Sequence, residues 1–226
     1  LAFSVTTYYR TFAWENDYTL WQDAVNKAPH NARAWNNYGN ALVRLGRIQS
    51  AVDAYKTAID ADPRYSKPYC NLGKIYAQEG NLEKGKTLFQ KSISLEPCFV
   101  EAHNNLGIIY ATLGTLSKGI DHFETALKCE YNQPYTHYNL GKAYLAVNQS
   151  KNALEHLLLA IEMKPDIRPR AYYLTGAAYA MLNMPEKAAI WIQKAKQQGL
   201  DQSFEEMQND TRLVSSREKI MDIITN

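Results

Sequence analysis

A single glycine series constrains this chain more than any other feature. Gly39, Gly73, Gly107 and Gly141 stand 34 residues apart, and Gly176 follows after 35. Pro29, Pro63 and Pro97 keep the same period; Tyr131 takes the next place, and Pro165 resumes the series. Each glycine sits in a similar phrase: NNYGNAL, CNLGKIY, NNLGIIY, YNLGKAY and YLTGAAY. Twelve residues later comes a small residue: Ala51, Gly85, Gly119, Ala153 and Ala188. Seven further on stand Ala58, Ser92, Ala126, Ala160 and Ala195, with Tyr55, Phe89, Phe123, Leu157 and Ile192 between the two small series. A period of this length marks a supersecondary unit that buries its apolar face only against its neighbours. Proline cannot continue a helix, so it punctuates each unit.

Small residues at three fixed places, with a proline at the repeat end, resemble the tetratricopeptide repeat family. The resemblance implies an all-α right-handed superhelix, an α-solenoid in which each repeat is two antiparallel helices, A and B. Five full repeats are expected at 32–65, 66–99, 100–133, 134–168 and 169–202. A half repeat at 14–31 would precede them, with Trp21 and Ala24 in the large and small places of a helix B. Residues 1–13 would form a membrane-proximal or degenerate helical segment, and 203–226 a capping helix with Leu213, Ile220, Ile223 and Ile224 on its apolar side.

Composition removes several function classes. With 25 basic and 23 acidic residues the formal charge is +2, which does not suit a nucleic-acid binder. No run of 18 uncharged apolar residues is present. Cys70, Cys98 and Cys129 have no CxxC spacing, and no GxSxG, HExxH, Walker or GxGxxG phrase occurs. His103 and His137 hold equivalent places in successive A helices, as His122 and His156 do in B helices. Equivalent positions on packed helices lie about 8–10 Å apart, too wide for a metal ion held at about 2 Å from each ligand. No catalytic residue, metal site or cofactor is expected.

The residues that point to binding are asparagines. Asn37, Asn71, Asn105 and Asn139 each stand two places before a repeat glycine, and Leu174 breaks the series. A side-chain amide both donates and accepts, so it can pair with a peptide group without reading sequence. Six basic residues, Arg33, Arg44, Lys67, Lys74, Lys142 and Arg170, accompany only Glu79 and Glu101 on the A helices. Arg33 and Lys67 lie four places before the asparagines, and Asn40, Lys74 and Lys142 three places after them, on or beside the same helix face. The series resembles the asparagine ladder of the O-linked N-acetylglucosamine transferase superhelix, which implies a concave groove holding an extended protein or peptide. The basic neighbours favour an acidic one. The carboxylate clamp of co-chaperone repeats does not fit, because Glu101 stands where it needs a cation.

The stretch YYRTFAWENDYTLWQDAVNKAPHNARAWNNYG resembles the junction in polytopic membrane proteins with C-terminal tetratricopeptide arrays, among them the O-mannosyltransferases and their bacterial relatives. That resemblance implies a membrane tether upstream of residue 1, an interfacial belt of Tyr8, Tyr9, Phe12 and Trp14, and an array on the extracytoplasmic (periplasmic) side. The alternative is a degenerate helix A, built on Leu1, Phe3, Val5 and Phe12, that caps a cytoplasmic array. The function expected is a non-catalytic peptide- or protein-binding module. The rivals are a substrate-presenting domain of a membrane glycosyltransferase and a self-assembling scaffold.

Overall fold

The computed structural model describes residues 16–200 and 209–225, so the readings made for 1–13 lie outside the described residues. The described chain is helical throughout, with no strand. Its helices are α1 (Asp17–Lys27), α2 (Ala32–Arg44), α3 (Ile48–Ala61), α4 (Ser66–Gln78), α5 (Leu82–Leu95), α6 (Val100–Thr112), α7 (Leu116–Cys129), α8 (Pro134–Ala146), α9 (Ser150–Met163), α10 (Arg170–Met181) and α11 (Pro185–Gln197). A 3₁₀ turn at Thr211–Leu213 and α12 (Arg217–Thr225) complete it. Each expected repeat holds two of these helices, and α1 falls within the expected half repeat.

Local chemistry sets the helix ends. Asn16 and Asn31 accept from the backbone N–H groups of Thr19 and Ala34, capping α1 and α2. Pro134 and Pro185 occupy first-turn positions of α8 and α11, where no N–H is needed. The turn from A to B repeats one device. The second residue after each A helix takes a left-handed conformation, at Gly46, Gly80 and Gly114 and then at Asn148 and Asn183. The following N–H bonds back to a carbonyl five residues earlier, as from Arg47 to Leu42 and from Gln149 to Tyr144. This arrangement satisfies carbonyls that a helix end leaves open, and asparagine tolerates it where glycine is missing.

The chain divides into two compact units, the first running to Leu106 and the second starting at Gly107. In the first, α1 to α5 pack each against the next, and α2 also touches α4. In the second, α7 to α11 do the same, α8 touches α10, and α12 lies on α11. The core of each unit is built from the periodic residues: Tyr55 in the first, and Phe123, Leu157 and Ile192 in the second. The repeat glycines explain how closely the paired helices approach. A Cβ at Gly107 would lie 2.6 Å from the Phe123 ring, and one at Gly119 would lie 3.0 Å from the Gly107 carbonyl oxygen. The ring of the B helix thus covers the A glycine, beside the small residue expected to face it.

A second series, unread in the sequence, ties each repeat to the one before. Trp35, Tyr69, His103, His137 and Tyr172 occupy one slot near the start of the A helices. Their ring tips bond to the backbone oxygens of Pro29, Pro63, Pro97, Tyr131 and Pro165, at 2.7–3.1 Å. The histidines therefore hold the repeat-end carbonyl, the same duty that Tyr and Trp perform elsewhere.

At the C-terminal end Leu213 and Ile220 are fully buried and Ile224 packs on the core. Ile223, expected on the same apolar side, is 38% exposed, because it turns away from the stripe that Ile220 and Ile224 share at a four-residue spacing. Asp210 fixes this end: it accepts from the Tyr173 hydroxyl at 2.9 Å and pairs with Arg212.

Replacing Gly107 by Leu should cost at least about 2 kcal/mol, because the side chain must displace the buried Phe123 ring. Exposed Lys151→Ala should cost less than about 0.5 kcal/mol. Urea unfolding followed by circular dichroism distinguishes them, and equal costs would mean that the glycine contact does not set the helix spacing.

Candidate functional site

The first unit carries a groove of about 1130 Å³, built from α2, α4, the turn at Arg64–Tyr65, the end of α5 and the start of α6. Asn37, Asn71, Arg33, Asn40, Lys67 and Lys74 all line it. Sequence reasoning missed other lining residues, among them Asn36, Tyr55, Arg64 and Tyr65. The other two asparagines of the series stand elsewhere. Asn105 hydrogen-bonds the Cys70 thiol, whose pKa burial pushes up to about 12. Asn139 and Lys142 line a separate cavity in the second unit.

The groove amides are bonded to one another. Asn71 Nδ2 donates to Oδ1 of Asn36 at 2.9 Å and to Oδ1 of Asn40 at 3.1 Å. Asn36 Nδ2 donates to Asn37 Oδ1 at 3.3 Å, and the Tyr55 hydroxyl donates to Asn40 Oδ1 at 2.7 Å. Asn36 and Asn71 are buried, while Asn37 and Asn40 are half-buried. Two repeats are thereby joined through one polar floor. Burial raises the Tyr55 pKa well above the ordinary phenol value, so this hydroxyl remains a donor at neutral pH. A signal for Asn36 was present: it is the amide next to Asn37, on the face turned toward the following A helix.

Charge around the floor is unequal. Lys74 pairs with Glu101 at 2.7 Å, and Arg44 pairs with Asp17 at 2.7 Å. Glu96 accepts from the Ser66 hydroxyl. Arg33, Arg64 and Lys67 are exposed along the rim and form no ion pair among the described residues. Lys74, expected to attract an acidic ligand, is thus neutralised locally, and the cationic edge shifts to these three.

The histidines pair differently from the sequence expectation. His137 Nδ1 lies 3.0 Å from His156 Nδ1 of the same repeat. A carbonyl only accepts, so His137 Nε2 carries the hydrogen that meets Tyr131 O. Its Nδ1 is then the acceptor, and His156 Nδ1–H is the donor. Tyr144 stacks on His156 and donates to Glu124 at 2.6 Å, while Tyr131 meets the His137 ring edge-on. Burial holds both imidazoles below the ordinary histidine value, against a smaller opposing pull from Glu155 and, at His156, from Glu124. No group of three or more His, Cys, Asp or Glu able to hold a metal occurs among the described residues. No described helix is long and apolar enough to cross a membrane.

Comparison with known proteins places these features. A TPR repeat family matches residues 39–80, and two tetratricopeptide repeat families match 66–97 and 138–202. The human protein O-mannosyl-transferase TMTC3 is 43% identical over 42 residues, 19% of this chain and 5% of its own length. YrrB, described as a TPR protein with an unusual peptide-binding site, superposes with a TM-score of 0.65 at 19% identity, over 88% of this chain and 97% of its own. The PilF protein of Pseudomonas aeruginosa gives 0.72 at 15% identity, over 88% of this chain and 86% of its own. MamA gives 0.63 at 25% identity, over 73% of this chain and 96% of its own.

The histidine pair makes stability depend on pH with a definite sign. Folded-state values are lowered, so below about pH 6.5 the unfolded chain binds more protons than the folded one. Stability present above that pH should fall as acid is added. The double variant His137→Tyr/His156→Leu installs the residues found in the equivalent places at Tyr69 and Leu88 and should flatten this dependence. Melting temperatures at about pH 7.5 and about pH 5.5 test it; an unchanged slope in the double variant would place the acid sensitivity elsewhere.

Proposed function

We propose that this chain, which belongs to the tetratricopeptide repeat family, is a protein-binding module that holds an extended polypeptide in the groove of its first unit. The observation that carries this reading is the amide floor of Asn36, Asn37, Asn40 and Asn71 in a groove of about 1130 Å³. That volume exceeds the range of about 300–1,000 Å³ usual for small-molecule sites. Amides suit peptide groups, and the rim of Arg33, Arg64 and Lys67 favours acidic side chains. The description of YrrB as peptide-binding supports the same use of the fold.

The internal bonding decides how the site can be tested. Asn71→Ala would leave the oxygens of buried Asn36 and half-buried Asn40 without their donor, so it damages the fold as well as the floor. A ladder variant that changes Asn71 together with Asn105 therefore does not isolate binding. Arg33 and Lys67 stand exposed on the rim instead, outside the amide network. Arg33→Ala together with Lys67→Ala should weaken binding of a fluorescein-labelled alternating Ala-Glu heptapeptide by about tenfold, equal to about 1.4 kcal/mol, at unchanged helicity. Binding that survives both changes would remove the groove from the mechanism.

A second reading rests on the identity to the human O-mannosyl-transferase. There the same module would present protein acceptors to a membrane glycosyltransferase on the extracytoplasmic side. Mannosyl transfer to a protein acceptor, measured with membranes alone and with the chain added, separates the two: a presenting module changes the rate, and a passive binder leaves it unchanged.

A further inference from the structure

Four polar side chains of the first unit meet where α1, α2 and the turn after α2 come together, and none of them lines the amide groove. Gln22 Nε2 donates to the Tyr18 hydroxyl oxygen at 3.1 Å, and Arg47 Nη1 donates to it at 3.2 Å. The Tyr38 hydroxyl bonds the same oxygen, with the two rings 5.5 Å apart. The Arg47 guanidinium also stands 5.2 Å from the centre of the Tyr18 ring. Tyr18, Gln22 and Tyr38 are half-buried and Arg47 is exposed, so solvent reaches the cluster. The carboxylates of α1 are committed elsewhere: Asp17 pairs with Arg44 at 2.7 Å and Asp23 with Lys27 at 2.6 Å. Repeat packing does not ask for these tyrosines. The Tyr18 slot holds Val52, Ile120 and Leu154 in later B helices, and the Tyr38 slot holds Leu72, Leu106 and Leu140 in later A helices.

We propose that Tyr18 is a modification site, a nucleophilic phenol that takes a tetrahedral oxo group, sulfonyl or phosphoryl, from a donor with a good leaving group. A neutral hydroxyl donates one hydrogen and has two lone pairs to accept with. Tyr18 meets that inventory by donating to Tyr38 and accepting from Gln22 and Arg47. When its proton passes to solvent, the Tyr38 hydroxyl turns to donate instead. Three donors, one of them cationic, then surround the phenolate with no heavy atom displaced. The Tyr38 bond is the largest cause holding the Tyr18 phenol below its ordinary value; partial burial opposes it, and Arg47 and Gln22 add to it. Tyr38 is pushed the other way, to about 12, chiefly by burial, so Tyr18 is the member of the pair that ionises first. The phenolate oxygen bonds to the sulfur or phosphorus, and the leaving group departs with its bonding electrons; nothing is oxidised or reduced. The Arg47 and Gln22 N–H groups beside that oxygen are also placed to meet the oxygens of the incoming group. A carbonyl carries one such oxygen and makes less use of the two donors.

The test uses the 226-residue chain and benzenesulfonyl fluoride, an uncharged probe that leaves a sulfonyl ester on the phenol and releases fluoride. Peptide mapping by mass spectrometry reads the labelling rate at each tyrosine. At about pH 7.5 Tyr18 should react at least about fivefold faster than exposed Tyr131 or Tyr135. Tyr38→Phe and Arg47→Gln should each slow Tyr18 at least about threefold and move its pH profile upward, at unchanged helicity. Tyr18→Phe should remove the fast site and leave the other tyrosines as they were. Tyr131 or Tyr135 reacting as fast as Tyr18, or a Tyr18 rate indifferent to Arg47→Gln, would overturn the proposal. Ultraviolet titration of the unaltered protein needs no variant: one of its 16 tyrosines should ionise ahead of the rest, and a single unresolved transition would refute the activated phenol. N-acetylimidazole that labels Tyr18 fastest, while the sulfonyl fluoride does not, would assign the phenol to acyl groups and overturn the class proposed.

Discussion

In each pair the second helix approaches the first until a large side chain lies over a position that has none. A Cβ added at Gly39, Gly73, Gly107, Gly141 or Gly176 would come within 2.5–2.9 Å of Tyr55, Phe89, Phe123, Leu157 or Ile192. That closeness fixes the spacing within a pair. The left-handed residue at each A-to-B turn fixes how sharply the chain returns. Together they place successive A helices side by side within each unit, α2 on α4 and α8 on α10. Only then can a side chain on one A helix reach the next, as Asn71 reaches Asn36 and Lys74 reaches Glu101. The amide groove is a consequence of helix spacing, and the spacing is a consequence of the glycines.

The polar floor of the first unit has two duties that compete. Buried amides must be bonded to something, or each costs about 1–3 kcal/mol. Asn36, Asn40 and Asn71 meet that demand among themselves and with Tyr55, so the floor is complete without a ligand. A ligand that displaced these bonds would gain little, because it would exchange one hydrogen bond for another. A ligand that used the accessible side of the floor would meet amides already fixed in place, and little side-chain freedom would be lost on binding. This favours contact through half-buried Asn37 and the rim cations, with Asn71 acting as a support beneath.

The repeat, its register and the candidate asparagines were legible in the sequence, because identical residues at a constant interval need no knowledge of contacts. The slot of Trp35, Tyr69, His103, His137 and Tyr172 has the same interval but was not legible in that way. Its members share only a ring with a polar tip, a chemical class rather than a letter. The His137–His156 contact escaped for a geometric reason: equivalent slots on successive helices were compared, whereas packing brings each A helix onto its own B helix. The Lys74–Glu101 pair joins slots seven residues apart on neighbouring A helices, and the amide network joins slots one and three residues apart, visible only once those helices touch. Ile223 shows the limit of apolar patterning in a short helix, where one residue of a cluster can turn outward while Ile220 and Ile224 share the buried stripe.

The ring slot shows how a structural duty leaves room for a functional one. Every member bonds to the oxygen that ends the preceding repeat, and Trp, Tyr and His can all do so. They differ in what remains after that bond is made. Trp35 and Tyr69 keep no group that changes charge near neutral pH. His137 keeps a second nitrogen, buried and facing inward, and that nitrogen requires a donor. His156 supplies it from the partner helix, stacked in turn against Tyr144, whose hydroxyl holds Glu124. A proton added to His137 would set two N–H groups against each other at 3.0 Å and break this chain of contacts. Choosing histidine for a slot that elsewhere takes tyrosine therefore leaves the repeat junction intact at neutral pH and makes the α8–α9 pair, unlike the pairs with Trp or Tyr there, answer to acid.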